Sequence, residues 1–110
     1  MIRLLTRFAP IPIVYAGGLV GGDDANQLKS TLLDLIDRGF DSIALELADV
    51  SGIDPVGIGA LLAARGRLSH TGGRLHLVNC SKEVLEDLQD TGMTEIFGQY
   101  DRPEDIPAPA

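Results

Sequence analysis

Between residues 42 and 68 the apolar pattern changes period, and that change restricts the fold more than any other feature of the chain. From Ser42 to Ala48, Ile43, Leu45 and Leu47 alternate with Ala44 and Glu46, the two-residue repeat of a strand. Further on, Ile58, Leu61, Leu62, Arg65 and Leu68 recur at the spacing of a helix face, in a helix that ends near Gly72-Gly73. The stretch between, Val50-Ser51-Gly52-Ile53-Asp54-Pro55-Val56-Gly57-Ile58-Gly59, holds one proline, three glycines and one carboxylate. A tight turn of this composition places backbone N–H groups and short side chains at a helix start, where an anion or a partner can be met.

The remaining segments extend this strand-turn-helix unit on both sides. Residues 2 to 8 alternate, with Ile2, Leu4 and Phe8 on one side and Arg3, Leu5 and Arg7 on the other, as in a half-buried strand near a sheet edge. Pro10 and Pro12 bracket a break, and residues 13 to 16 read as a second strand joined to the first by a hairpin. Gly17-Gly18-Leu19-Val20-Gly21-Gly22 reads as a loop; it lacks the Lys-Ser/Thr of a phosphate-cradling P-loop and the full G-x-G-x-x-G spacing.

Asp24 is a suitable N-cap for an amphipathic helix through Ala25, Leu28, Leu32, Leu35 and Ile36, closed at Gly39. Arg74 to Val78 is another strand, with Leu75 and Leu77 on one side. Ser81 then caps a short helix through Val84, Leu85 and Leu88 that closes at Gly92. Ile96 and Phe97 predict a last short strand or a core-sealing turn, with Met93 packed against them. Gly59 and Gly66 each cost a helix roughly 0.5 to 1 kcal/mol relative to alanine, which predicts close packing or a partner's approach there.

Strands alternating with helices imply crossovers between parallel strands, and the N-terminal hairpin makes the sheet mixed. The predicted fold is a small α/β sandwich with a mixed, mostly parallel sheet and helices mainly on one face. The folded unit is expected over residues 1–100. Residues 101–110, with Pro103, Pro107 and Pro109, predict an extended, mobile tail with at most one helical turn near Glu104.

Charge and residue inventory remove several function classes. With nine Lys plus Arg against sixteen Asp plus Glu, the net charge is -7, and the summed field repels nucleic acid and anionic lipid. A single cysteine, Cys80, permits no internal disulfide and falls short of a Cys-based zinc site. No apolar run approaches the roughly 20 residues that cross a bilayer, and Met1 to Arg7 lacks a signal peptide's long apolar region. A freestanding cytoplasmic protein is expected.

Catalysis finds few parts. Cys80 follows a strand and Ser81 is a cap, while His70 lies at a helix end and His76 inside a strand, facing solvent or a neighbouring layer. Asp23-Asp24 opens a helix, and Glu83, Glu86, Asp87 and Asp90 read as a solvated helix face. No EF-hand spacing occurs. No catalytic residue, metal ligand or cofactor is expected.

Leu45 to Leu62 around the turn, then Gly72-Gly73-Arg74-Leu75-His76-Leu77-Val78-Asn79, then Leu88 through Thr91-Gly92-Met93 to Ile96-Phe97, together resemble the STAS domain family, whose type member is the bacterial anti-sigma factor antagonist. The likeness covers most of residues 12 to 98. It implies a domain that acts by protein-protein contact. In the antagonists the turn carries Asp-Ser-Ser-Gly, and an anti-sigma factor with an ATP-binding kinase fold phosphorylates the second serine, which breaks the contact. On that pattern the aspartate is Asp54 and the glycine is Gly57, while the serine positions hold Pro55 and Val56. Val56 has no hydroxyl, so the family's added charge of roughly -1.5 to -2 has no place to be installed there. The usual Gly-Glu-Leu-Asp-like stretch is also altered, with valine in Gly18-Leu19-Val20 where an aspartate is usual. Ser51, Ser81 and Thr91 remain as hydroxyls near the same end.

The leading expectation is a non-phosphorylatable interaction module. Its partner would be an anti-sigma factor or related kinase-fold regulator, bound through Asp54, Pro55, Val56, Gly57, Ile58 and Gly59 and the following helix, with Val56 and Ile58 supplying apolar contact. Two others stand beside it: a small-molecule or anion sensor, with its pocket between the helix start at Gly57 and the Gly17 to Gly22 loop, and a structural subunit of a signalling or transport assembly. Neither partner identity nor oligomeric state is specified by the sequence.

Overall fold

The computed structural model describes residues 1–6 and 11–107. Phe8, Arg7 and Pro10 of the predicted first strand and break lie outside the described residues, as do residues 108–110 of the predicted tail. The elements run β1 (Ile2–Thr6), β2 (Ile13–Val20), α1 (Gly22–Asp37), β3 (Ser42–Ile53), α2 (Pro55–Ser69), β4 (Arg74–Val78), α3 (Lys82–Asp90) and β5 (Gly98–Tyr100), followed by a 3-10 turn over Pro103–Asp105. The strands form one five-stranded sheet in sequence order. β1 is antiparallel to β2, and the other pairs are parallel.

One core forms between the sheet and the helices. Val14, Ile43, Leu45, Leu47, Leu75 and Leu77 point from the strands into the same cluster as Leu28 and Leu32 of α1, Leu61 and Leu68 of α2, and Val84 and Leu88 of α3. Successive strands step in one direction across the sheet, so right-handed crossovers bring the connecting helices to one side. Phe97 seals the core beside Met93 and Ile96, and β5 begins one residue later, at Gly98.

Three features differ from the expectation, each for a local reason. α1 starts at Gly22 with Gly21 as N-cap, so Asp24 lies in the first turn; its carboxylate takes the N-terminal ammonium of Met1 at 2.6 Å instead of capping. β2 continues through the predicted glycine loop to Val20, because its neighbours pair on despite Gly18 at φ +74°. β3 runs to Ile53 rather than ending at Ala48. Two register shifts against β2, between Tyr15 and Gly17 and between Gly18 and Leu19, leave Ala48 and Asp49 both outward, and alternation resumes with buried Val50. A bulge breaks the period-two signal without ending the strand.

Gly39 closes α1 as expected: it adopts φ +99°, and the N–H of Phe40 reaches the carbonyl of Leu35 at 3.2 Å. Gly59 and Gly66 do not serve close packing, since a Cβ at either would meet open space. His76 faces the sheet side away from the main core and is only 5% exposed. Its Nε2 lies 2.9 Å from the hydroxyl of Ser42, and its ring meets that of Tyr100 at 5.6 Å between centroids.

Candidate functional site

The turn after β3 is one residue long, and its geometry is over-determined. Asp54 has extended backbone and caps α2, its Oδ1 accepting from the N–H of Gly57 at 2.8 Å. Pro55 occupies the first helical turn, where a missing N–H costs nothing. The N–H of Asp54 donates to the carbonyl of Val20 at 3.1 Å, so the far end of β2 holds the turn from one side. Gly57 is required by contact. A Cβ there would collide with the carbonyl oxygen of Val20 and come within 2.6 Å of Ile53 Cγ2.

α3 holds the turn from the other side. The carboxylate of Asp87 accepts from the N–H of Ile53 at 2.8 Å. Ser81 accepts from the N–H of Val84 at 3.2 Å and donates to the carbonyl of Val50 at 2.6 Å, so the cap of α3 is also a clamp on β3. Asp87 was expected on a solvated face; it is instead half-buried against the strand end. A signal was present, because Asp87 lies three residues after Val84 and next to Leu88, the two buried positions of α3.

Of the six predicted binding residues, four reach solvent. Pro55, Val56 and Gly59 are exposed and Asp54 is half-buried, whereas Gly57 is buried. Ile58 is 6% exposed and belongs to the core, so the apolar contact expected of it is turned inward. Val56 is 51% exposed, and Leu19, which sequence reading left inside a loop, is 59% exposed on the adjoining end of β2. An apolar side chain that faces water at the end of a paired strand was not legible while that strand was read as a glycine loop.

The electrostatics work against an anion cradle. The carboxylate of Asp54 sits against Gly21, the N-cap of α1, where an added Cβ would collide with it. Asp23 and Asp24 occupy the first turn of α1, and Asp49 takes the phenol of Tyr15 at 2.7 Å nearby. The N–H of Gly57 is already bound to Asp54. Of the remaining hydroxyls, Ser81 is engaged as described, Thr91 donates to the carbonyl of Asp87 at 2.8 Å, and Ser51 is exposed on β3. Cys80 stays a thiol: burial first, and the charge of Glu46 second, push it up to about 11. Among the described residues no cluster of three or more His, Cys, Asp or Glu side chains is placed to hold a metal ion, and no helix is long and apolar enough to cross a membrane.

Fold and site together define a small α/β domain whose exposed surface at the carboxyl end of its central strand is a capped helix start. The chain belongs to the STAS domain family, which it matches over residues 6–106. Its structure is similar to an anti-sigma factor antagonist from Mycobacterium paratuberculosis, with TM-score 0.80 and 19% identity over 96% of this chain and 90% of that one. It is likewise similar to a STAS domain protein from Planctomyces limnophilus, with TM-score 0.79 and 20% identity over 94% and 92% of the two chains. The unphosphorylated form of the Bacillus anti-sigma factor antagonist SpoIIAA matches with TM-score 0.77 and 20% identity over 96% and 90%. No curated protein is a significant match to the sequence.

Proposed function

We propose that this protein is a non-catalytic interaction module that binds a regulatory partner of the anti-sigma factor or serine-kinase type through Asp54, Pro55, Val56 and Gly59. Leu19 and the exposed side of α2 extend the surface, and the fold is taken as residues 1–100 with 101–110 as a tail outside it. The observation that carries this reading is Val56. It is an apolar side chain, 51% exposed, at the tip of a helix start that β2 and α3 hold rigid.

The similar structures include SpoIIAA in both an unphosphorylated and a phosphorylated form. The present chain has valine at the position that its resemblance assigns to the modified serine, so its contact is not switched by phosphate there. A constitutive or otherwise gated contact follows from that difference, and we propose that it is made in the cytoplasm. Val56→Asp places a charge in the proposed contact at an exposed position that the fold does not use. Calorimetry against a purified kinase-fold anti-sigma factor should show binding to the wild type and its loss in the variant, with thermal unfolding unchanged. Equal affinities would remove the turn from the interface.

A further inference from the structure

A cavity of about 280 Å³ lies at the opposite edge of the sheet from the Asp54 turn, between the C-terminal half of α2, the start of β4 and the start of β5. Arg65, Ser69, Arg74, His76 and Tyr100 supply its polar wall. Among the described residues no carboxylate lines it, in a chain with sixteen acidic residues and nine basic ones. Among the described residues, neither Arg65 nor Arg74 forms an ion pair, although Arg38, Arg67 and Arg102 each do.

His76 gives an independent sign that this wall lacks a partner. The side chain is 5% exposed, Nε2 is engaged with the Ser42 hydroxyl, and Nδ1 is buried without a hydrogen-bond partner among the described residues. Buried polar nitrogens are rarely left so, because losing water without replacement costs roughly 1 to 3 kcal/mol. In the tautomer in which the Ser42 hydroxyl donates to Nε2, Nδ1 carries the proton and has a bond to offer an acceptor; in the other it presents a lone pair. Nδ1 lies 3.6 Å from where a Cβ on Gly98 would stand, behind another residue of the cavity wall and not on its accessible surface.

We propose that this cavity binds a small oxyanion-bearing molecule, a phosphate ester or a carboxylate, with its charged group between Arg65 and Arg74 and the hydroxyl of Tyr100 beside it; the Ser69 hydroxyl already donates to the carbonyl of Gly66 at 2.7 Å. Guanidinium forks match the planar and tetrahedral oxygens of such groups. The end of α2 opposes an anion with only about half a negative charge, against two full positive ones. Gly72 leaves open space on the wall, whereas Gly73 lies against the backbone of Asp41 and Gly98 against the rings of Tyr100 and His76. The size fits a compact metabolite rather than a chain of residues.

The test is a titration of isotopically labelled full-length protein with inorganic phosphate and, separately, with citrate at low ionic strength, followed by amide chemical shifts. Saturable shifts at Gly72, Gly73, Arg74 and Gly98, with a Kd on the order of 1 mM or tighter for either anion, support the site. The tighter of the two identifies the oxyanion class. The double variant Arg65→Gln, Arg74→Gln, at two exposed positions, should weaken that binding roughly tenfold or more with the spectrum otherwise retained. Absence of saturable shifts with both anions, or equal binding by the double variant, would overturn the proposal.

Discussion

At the scale of single residues, Gly57 and Asp54 carry different kinds of cost. Asp54→Ala removes one cap and should lower stability by about 1 kcal/mol. Gly57→Ala drives a Cβ into the Val20 carbonyl and Ile53 and should cost more, about 1 to 3 kcal/mol. Urea unfolding ranks the two; a smaller loss for Gly57→Ala would mean that the turn is not tightly held. The Asp54 cap was legible from its place before Pro55. The contact on Gly57 was not, because it comes from β2, thirty-odd residues away and once read as a loop. His76 adds a pH dependence. Burial, and secondarily the charge of Arg74, lower its pKa below the usual 6.5. The unfolded chain therefore takes up the proton first as pH falls. Its contribution to stability is intact above the ordinary histidine value and declines as pH drops through it toward the folded value. Between about pH 7.5 and about pH 5.5, melting temperature should fall less in His76→Gln than in wild type, and an equal fall in both would refute this assignment.

Among the elements, α3 shows what sequence periodicity captures and what it misses. Val84 and Leu88 mark its buried side, and Ser81 its start, all readable from spacing and cap chemistry. Asp87 was read by its charge alone, as solvated, when its position on the buried flank brings it to the N–H of Ile53. Removing its carboxylate leaves that N–H without its acceptor, so Asp87→Ala should destabilise by about 1 to 3 kcal/mol. Asp87→Asn keeps an oxygen acceptor and should cost less. Hydrogen exchange at Ile53 resolves the cause: protection should drop in the alanine variant and be largely kept in the asparagine variant. Unchanged exchange in Asp87→Ala would dissociate α3 from the turn. The same lesson holds for β3, whose length was hidden because two bulges interrupt the alternation on which strand reading depends.

Across the whole molecule, the order of elements was legible because period-two and period-3.6 segments alternate from Ile13 onward, and the mixed sheet because the alternation of the first residues called for a hairpin. The cavity beside Arg65 and Arg74 was not, since its wall joins residues from three elements with no shared motif. Among the described residues, the segment after β5 contributes a single 3-10 turn, before which Arg102 pairs with its own neighbours Glu104 and Asp105, at 3.8 and 3.6 Å and in water. Such exposed pairs are worth roughly 0 to 1 kcal/mol. Deleting residues 101–110 should therefore shift the melting temperature by no more than about 4 to 8 °C, and a collapse of folding would place the segment inside the domain.

The central claim is that the turn docks a partner while lacking the hydroxyl that would let phosphate release it. It is tested most directly by incubating the wild-type chain and Val56→Ser with ATP and a kinase-fold anti-sigma factor, and following phosphate incorporation and complex together. The account predicts a wild-type complex that persists with no phosphate on the chain, and a serine variant that gains phosphate at residue 56 and dissociates. Phosphate on the wild-type chain accompanied by loss of the complex, or no complex in either form, would contradict it.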